Sequence, residues 1–231
     1  MDEQYEAEYL EHENTYFWFI ARNKLVKKIR QKLPSGRLLD IGCGSGQFLN
    51  THTKNSFGVD ISFHALKNGI QKGIGNLVCG DAMYLPFKNN SFDIIQALDI
   101  LEHTSDDVLS LKNWAHLLKP RGNIIITVPA HQKLWSHHDI LNKHFRRYSK
   151  NALSTLIEDN NLQICKSTYW NALLFLPNFL MRQIIFKKNI FQINSAINKL
   201  LTLLLQFENL LALSIGLPFG ISLIFVAEKK C

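Results

Sequence analysis

Three glycines, at positions 42, 44 and 46, alternate with other residues directly behind the apolar run Leu38-Leu39-Asp40-Ile41. Bare backbone at that density serves a chain that must turn sharply and let something approach closely. Its place, between a short apolar strand and the segment that follows, constrains the fold more than any other feature. Where strands alternate with helices, such a turn sits where the strand ends meet a ligand and a helix N-terminus.

The rest of the chain supplies that alternation. Residues 17–33 carry Val26, Ile29 and Leu33 on one face and Lys24, Lys27, Lys28 and Arg30 elsewhere, the period of an amphipathic helix. Pro34-Ser35-Gly36 ends it. Strands are expected at 37–42, 56–60, 77–82, 91–99, 122–130 and 162–169, with helices starting at Ser45 and Ser62, through Val108–Leu118, and from a Ser149 cap. Near-continuous apolar strands between helices predict a parallel sheet covered on both faces, an α/β doubly wound fold.

Composition narrows the class. The chain has 231 residues, 46% apolar and 19% charged, enough for one well-cored globular domain with an elaboration. Cys43, Cys79, Cys165 and Cys231 are scattered with no C-x-x-C, so neither a zinc knuckle nor a disulfide framework is suggested, and a reducing, cytoplasmic setting fits. The opening M-D-E-Q-Y-E-A-E-Y is acidic, the reverse of a signal peptide. The net charge of +7 would draw anionic partners, a membrane face among them. A nucleic-acid partner is not expected: no aromatic–basic strand platform or long basic stripe occurs.

The spacing of the glycines speaks to the ligand. Asp60 stands 18 residues after Gly42 and ends the second strand, where a carboxylate can grip ribose hydroxyls. The third glycine comes one place early for a dinucleotide turn, and Asp40 precedes it, where an acid repels a pyrophosphate and attracts a cation. Both departures favour a phosphate-free, positively charged nucleoside, as in S-adenosylmethionine. A nicotinamide oxidoreductase and a non-catalytic cofactor-binding scaffold are the alternatives.

The ordered set L-D-I-G-C-G-S-G, G-V-D, G-D-A-M-Y-L-P-F-K-N-N-S-F-D, L-D-I-L-E-H and L-L-K-P-R-G-N-I-I-I-T-V-P-A runs from about residue 37 to 130. It resembles the class I S-adenosylmethionine-dependent methyltransferases, in the small-molecule group that includes the ubiquinone and menaquinone enzymes. L-W-S-H-H-D-I-L-N-K-H-F-R-R-Y-S resembles a bacterial subgroup associated with polysaccharide or lipid-linked sugar pathways.

The resemblance implies a seven-stranded, Rossmann-like sheet whose last strand inserts antiparallel. A methyltransferase domain would comprise 1–170 and 218–231, with an apolar helical lid or insertion at 171–217. It implies that Gly42, Gly44 and Gly46 cradle the cofactor and that Asp40 meets its ammonium. Asp60 would take the ribose, Ile61 the adenine face, and Asp81 and Ala82 the adenine edge. Leu98 and Asp99 would border the methionine arm, with Arg22 at its carboxylate and Trp18 packed above.

Methyl transfer from a sulfonium is an in-line displacement that needs positioning more than acid–base chemistry. An oxygen acceptor can still use a base, and His103, then His131, are the candidates, with Tyr148 a hydrogen-bonding partner. His137, Arg146 and Arg147 are candidates for the acceptor, since paired guanidinium groups fork onto phosphate or carboxylate. No metal is expected. The weaker alternative is Asp99, Glu102 and His103, which resemble a divalent site of some relatives completed by a later histidine, His131 or His137. The helical segment, apolar nearly all round with Arg182, Lys187, Lys188 and Lys199, would serve a small or lipid-linked acceptor, a seat at the inner membrane face, or a homodimer.

Overall fold

The computed structural model describes residues 3–49, 55–177 and 193–231. Seven strands make one sheet: β1 (Leu38–Ile41), β2 (Ser56–Asp60), β3 (Leu77–Cys79), β4 (Phe92–Leu98), β5 (Leu118–Pro129), β6 (Leu162–Trp170) and β7 (Ser222–Lys229). Their order is β3-β2-β1-β4-β5-β7-β6. Only β7 runs against the rest, pairing antiparallel with both β5 and β6. From β1 the chain steps outward to β2 and β3, then returns to lay β4 on the other side of β1. That reversal opens a crevice beyond the C-terminal ends of β1 and β4, where the glycine turn lies.

Helices α1 (Glu3–His12), α2 (Phe17–Arg30), α3 (Phe63–Gln71), α4 (Asp107–Leu117), α5 (His137–Leu141), α6 (Lys150–Asp159) and α7 (Ser195–Ser214) surround the sheet. Ser62, Asp106 and Ser149 cap α3, α4 and α6, each side chain accepting from a backbone N–H three residues on. Successive β5 side chains divide between the faces. Ile124 and Ile126 join Trp114, Leu153 and Ile157 in one core, and Ile125 joins Leu25, Val26, Ile29 and Leu205 in the other.

Three features differ from expectation. The segment from Ser45 to Leu49 is a run of turns rather than a helix, because positive φ at Gly44 and Gly46 breaks the helical path. β5 starts at Leu118, so Pro120 and Gly122 lie within a strand, at the bulged edge of its pairing with β4. And α7 is a layer beside α2 on one face of the sheet rather than a lid alone. Two polar residues hold it. The fully buried Glu208 carboxylate accepts from the amides of Asn171, Ala172 and Leu173, and Asn209 links the Trp170 indole to the Ala21 carbonyl. The intervening 178–192, with Arg182, Lys187 and Lys188, lies outside the described residues.

Candidate functional site

The glycine turn is pinned to β2. The amides of Gly42 and Cys43 both donate to the Val59 carbonyl, at 2.8 and 3.1 Å. Gly42, Gly44 and Gly46 have φ of 69°, 57° and 73°, a region that costs L-residues about 1–2 kcal/mol. Their surroundings differ. A Cβ at Gly42 would fall 1.9 Å from Ile100 Cδ1, and one at Gly46 2.8 Å from Leu77 Cδ2. A Cβ at Gly44 would meet only Glu13 Oε2, at 3.8 Å. Gly44 therefore presents its bare backbone to open space, while its neighbours are bare because protein fills the position.

Acids ring that space. Asp60 Oδ2 accepts from the Gly44 amide at 2.7 Å and Oδ1 from Ser62 N at 2.8 Å. A carboxylate oxygen accepts more than one hydrogen bond, so this anchoring is compatible with a ribose's pair of hydroxyls. Ile61 beside it is 73% exposed, an apolar face turned to solvent. Asp81 Oδ1 accepts from Met83 N at 2.8 Å, and the Ala82 carbonyl takes the Trp114 indole N–H. Asp40 is buried beneath the turn, and burial pushes its carboxyl up to about 7 against the opposing pull of Gln96 and Arg22. Leu98 is buried and belongs to the α2 side of the core.

The N-terminal helices close the crevice. Arg22 Nη1 donates to Asp99 Oδ2 at 2.5 Å, with Trp18 stacked 4.7 Å from the guanidinium. Burial alone would lower the Arg22 pKa, but the charge of Asp99, with Tyr9, outweighs it and raises the value. Glu13, buried, accepts from Ser45 Oγ at 2.5 Å, and the Asn14 amide donates to Gln47. Sequence reading passes over Glu13 and Tyr9. Neither belongs to a motif: Glu13, just past α1, reaches Ser45 of the turn, and Tyr9 packs on Phe19 beside Arg22. Tyr9 is pushed up to about 12 by burial, and Arg22 and Asp99 both act on it.

A second cluster lies beyond β4, on the 3₁₀ turn Leu101–His103. Glu102 is fully buried with no hydrogen-bond partner on either carboxylate oxygen among the described residues. Burial, then the charge of Asp99, raise its pKa well above the ordinary range. Ligand atoms of Glu102, His103 and His144 all lie within 4.8 Å of one another. His103 and His144 meet edge to face at 4.6 Å, and burial, then His144, lower His103 to about 3. Asp139 Oδ1 accepts from His144 Nδ1 at 2.9 Å, which orients that ring and leaves its Nε2 open. Among Asp99, Glu102 and His103, then, the structure sets Asp99 apart on Arg22 and brings His144 to the other two.

The H-F-R-R-Y stretch does not face a ligand as expected. Arg147 is buried, with Nε and Nη2 donating to Asp139 at 2.8 and 3.0 Å and Nη1 to the Ala130 carbonyl. Arg146 bonds Asp107 at 2.6 Å and the Ser105 carbonyl, and the Tyr148 hydroxyl donates to the same Asp107 at 2.9 Å. These side chains fasten the 131–148 loop to the start of α4, so neither arginine is placed to fork onto an acceptor and Tyr148 has no idle hydroxyl. His137 is exposed at the first position of α5, the helix that carries Asp139. His131, at φ 59°, stacks on Tyr169 at 5.3 Å, with Phe175 edge-on to it and Phe219 edge-on to Phe175. This aromatic wall runs from the end of β5 to the surface.

Residues 39–126 match the family model described as a methyltransferase domain. An uncharacterized protein of Methanocaldococcus jannaschii is 34% identical over 155 residues, 67% of this chain and 65% of that protein. The O-methyltransferase rstn1 of Aspergillus nomiae is 31% identical, over 46% of this chain and 54% of its own length. The chain thus spans less than two thirds of either relative. A solved S-adenosylmethionine-dependent methyltransferase from Archaeoglobus fulgidus has the same fold, with a TM-score of 0.60, 20% identity, and 96% of this chain and 99% of that one covered. Residues 39–126 therefore carry a methyltransferase domain, on the fold of a solved S-adenosylmethionine-dependent methyltransferase.

Proposed function

We propose that the protein moves the methyl group of S-adenosylmethionine to an oxygen of a small-molecule acceptor, ring-bearing or lipid- or saccharide-linked. The observation that carries this reading is Gly44: bare backbone facing open space, with its amide on Asp60 and Asp40 buried below. Gly42, Gly44, Gly46, Asp40, Asp60, Ile61, Asp81, Ala82, Leu98 and Arg22 are the residues assigned to the cofactor. Relatives named as O-methyltransferases support oxygen. The aromatic wall from His131 to Phe219 supports an acceptor with a ring or an apolar chain.

In the transfer, an acceptor oxygen lone pair forms the new carbon–oxygen bond as the carbon–sulfur bond breaks. The sulfur keeps that bond's electron pair as a neutral thioether, and the hydroxyl proton passes to a base. His131, at the site edge, is the assigned base. His103 stays neutral but is too weak a base, at about 3, to hold that proton. Calorimetric titration with S-adenosylmethionine and its demethylated product, beside NAD, tests the reading. Micromolar binding of the pair, lost in Asp60→Ala, is expected. Preference for NAD would refute it.

A specific observation favours a divalent cation as well. A fully buried carboxylate with neither oxygen bonded among the described residues is costly without a partner, and two imidazoles share its corner. One carboxylate and two histidines suit a borderline cation such as manganese, iron or zinc better than calcium. Bound there, it would lower the pKa of an acceptor hydroxyl. Elemental analysis of protein purified without chelator, beside Glu102→Gln, tests this. Near-stoichiometric metal, lost in the variant, is expected, and a metal-free protein that metal salts do not stabilise would exclude it.

A further inference from the structure

We propose that the outer face of α7, with Lys24 and Lys28 of α2 and Lys32 just past its end, forms a seat for an anionic lipid bilayer, beside the methyl-transfer crevice and independent of the acceptor's identity.

The two helices run side by side in the same direction. The Phe17 amide donates to Asn198 Oδ1, Lys24 Nζ donates to Gln206 Oε1, and Lys28, Gln31 and Lys32 share a groove with Leu210, Leu213 and Ser214. The inner face of α7 is fixed in the protein through Leu205, Glu208, Asn209 and Ala212. Its outer face is apolar and uncovered: Leu200, Leu203, Phe207 and Leu210 are 64%, 56%, 59% and 52% exposed. Spaced by three or four residues, they form one stripe about 15 Å long. A stripe of that size on a soluble surface marks a binding face.

Length and composition alone would let α7 cross a membrane. Glu208 forbids it, because its carboxylate is buried on three amides next to the sheet, and extracting the helix would strip all three bonds. A helix anchored on one face and apolar on the other lies in the interface plane.

Charge chooses the occupant. Lys24, Lys28 and Lys32 follow one another at every fourth residue, exposed, along the edge of the apolar stripe, and the shared groove joins two of them to Leu210 and Leu213. The only acid of α7 is the buried Glu208, and α2 has none. A second copy of this face would bring lysine against lysine. A bilayer with anionic headgroups would take the leucines into its acyl boundary and the ammonium groups at its phosphates.

The protein would be sedimented with vesicles of phosphatidylcholine alone and with one third phosphatidylglycerol. Binding is expected to the anionic vesicles, weakening with salt. The triple variant Lys24→Gln, Lys28→Gln, Lys32→Gln should bind on the order of a hundredfold more weakly. Phe207→Glu, at an exposed position, should abolish binding while keeping the far-ultraviolet spectrum and the cofactor titration of the parent. Wild-type protein left in the supernatant with both vesicles overturns the proposal. So does a dimer in sedimentation velocity that Phe207→Glu dissociates with no vesicle binding. Because cofactor binding is read separately, failure of the seat and failure of the methyl-transfer assignment are distinguishable.

Discussion

At the scale of single residues, the glycine turn separates folding from binding. Gly42→Ala would place a methyl group inside Ile100, so it should lower the melting temperature sharply, at about 1–3 kcal/mol of overpacking added to backbone strain. Gly44→Ala meets no such wall and should cost only the strain, about 1–2 kcal/mol. Its methyl group enters the space assigned to the cofactor, so titration should show affinity lost far out of proportion to stability. Similar losses of both quantities in the two variants would contradict this. Asp40 gives a pH signature. Its carboxyl, raised by burial to about 7, is neutral below that pH, and an ordinary unfolded aspartate titrates at about 3.9. The folded protein therefore holds an extra proton between those values, and this group's contribution to stability falls as pH rises through that window. A cationic ligand prefers the carboxylate. S-adenosylmethionine affinity should rise from pH 5 to 7 by at most about one log unit per pH unit and then level, and Asp40→Asn should flatten the curve. The turn and its acids were legible because backbone conformation and strand ends are local properties. The arginines were not. Arg147 finds Asp139 8 residues away and Tyr148 finds Asp107 41 away, and no spacing rule announces such partners.

At the scale of elements, polar atoms rather than apolar stripes decide where α7 goes. The sequence shows a helix apolar on nearly every face, which fits a core, a lipid surface or a dimer equally well. Glu208 and Asn209, two of the polar residues that break the pattern, are turned inward. Glu208 accepts three amide hydrogens at the exit of β6, so its removal strands those donors in a buried place. Glu208→Ala should destabilise the protein by about 3 kcal/mol or more, whereas Leu203→Ala on the exposed side of the same helix should change stability by no more than about 0.5 kcal/mol. Equal effects in urea unfolding would mean that α7 is held by its leucines instead. The same logic explains why Ser45–Leu49 turns instead of forming a helix. Where glycines at positive φ are packed against Leu77 and Ile100, the loop's shape is set by its neighbours and not by helix propensity.

At the scale of the molecule, the sheet and its cofactor crevice belong to different layers of construction. The parallel half follows from strand–helix alternation, since each crossover must bury an apolar face on the sheet. The antiparallel β7 was legible only through resemblance, because its strand pattern carries no information about direction. The closing of the crevice was not legible at all, since α1 reaches it across a bend. Among the described residues both core clusters draw on Tyr16 onward, while Leu10 of α1 is buried outside them and Tyr9 packs on Phe19. Yet Glu13 holds Ser45 and Asn14 holds Gln47, directly on the turn that faces the cofactor. Removing residues 1–14 should thus leave the circular dichroism spectrum and cooperative melting intact. It should also weaken S-adenosylmethionine binding at least tenfold, about 1.4 kcal/mol, mainly through faster release. Glu13→Gln keeps the helix and weakens only the bond to Ser45, so its loss should be a fraction of that. Unchanged affinity in the truncated protein would show that α1 covers the turn without holding the ligand, and retention of the cofactor would then rest on Arg22 and Trp18 alone.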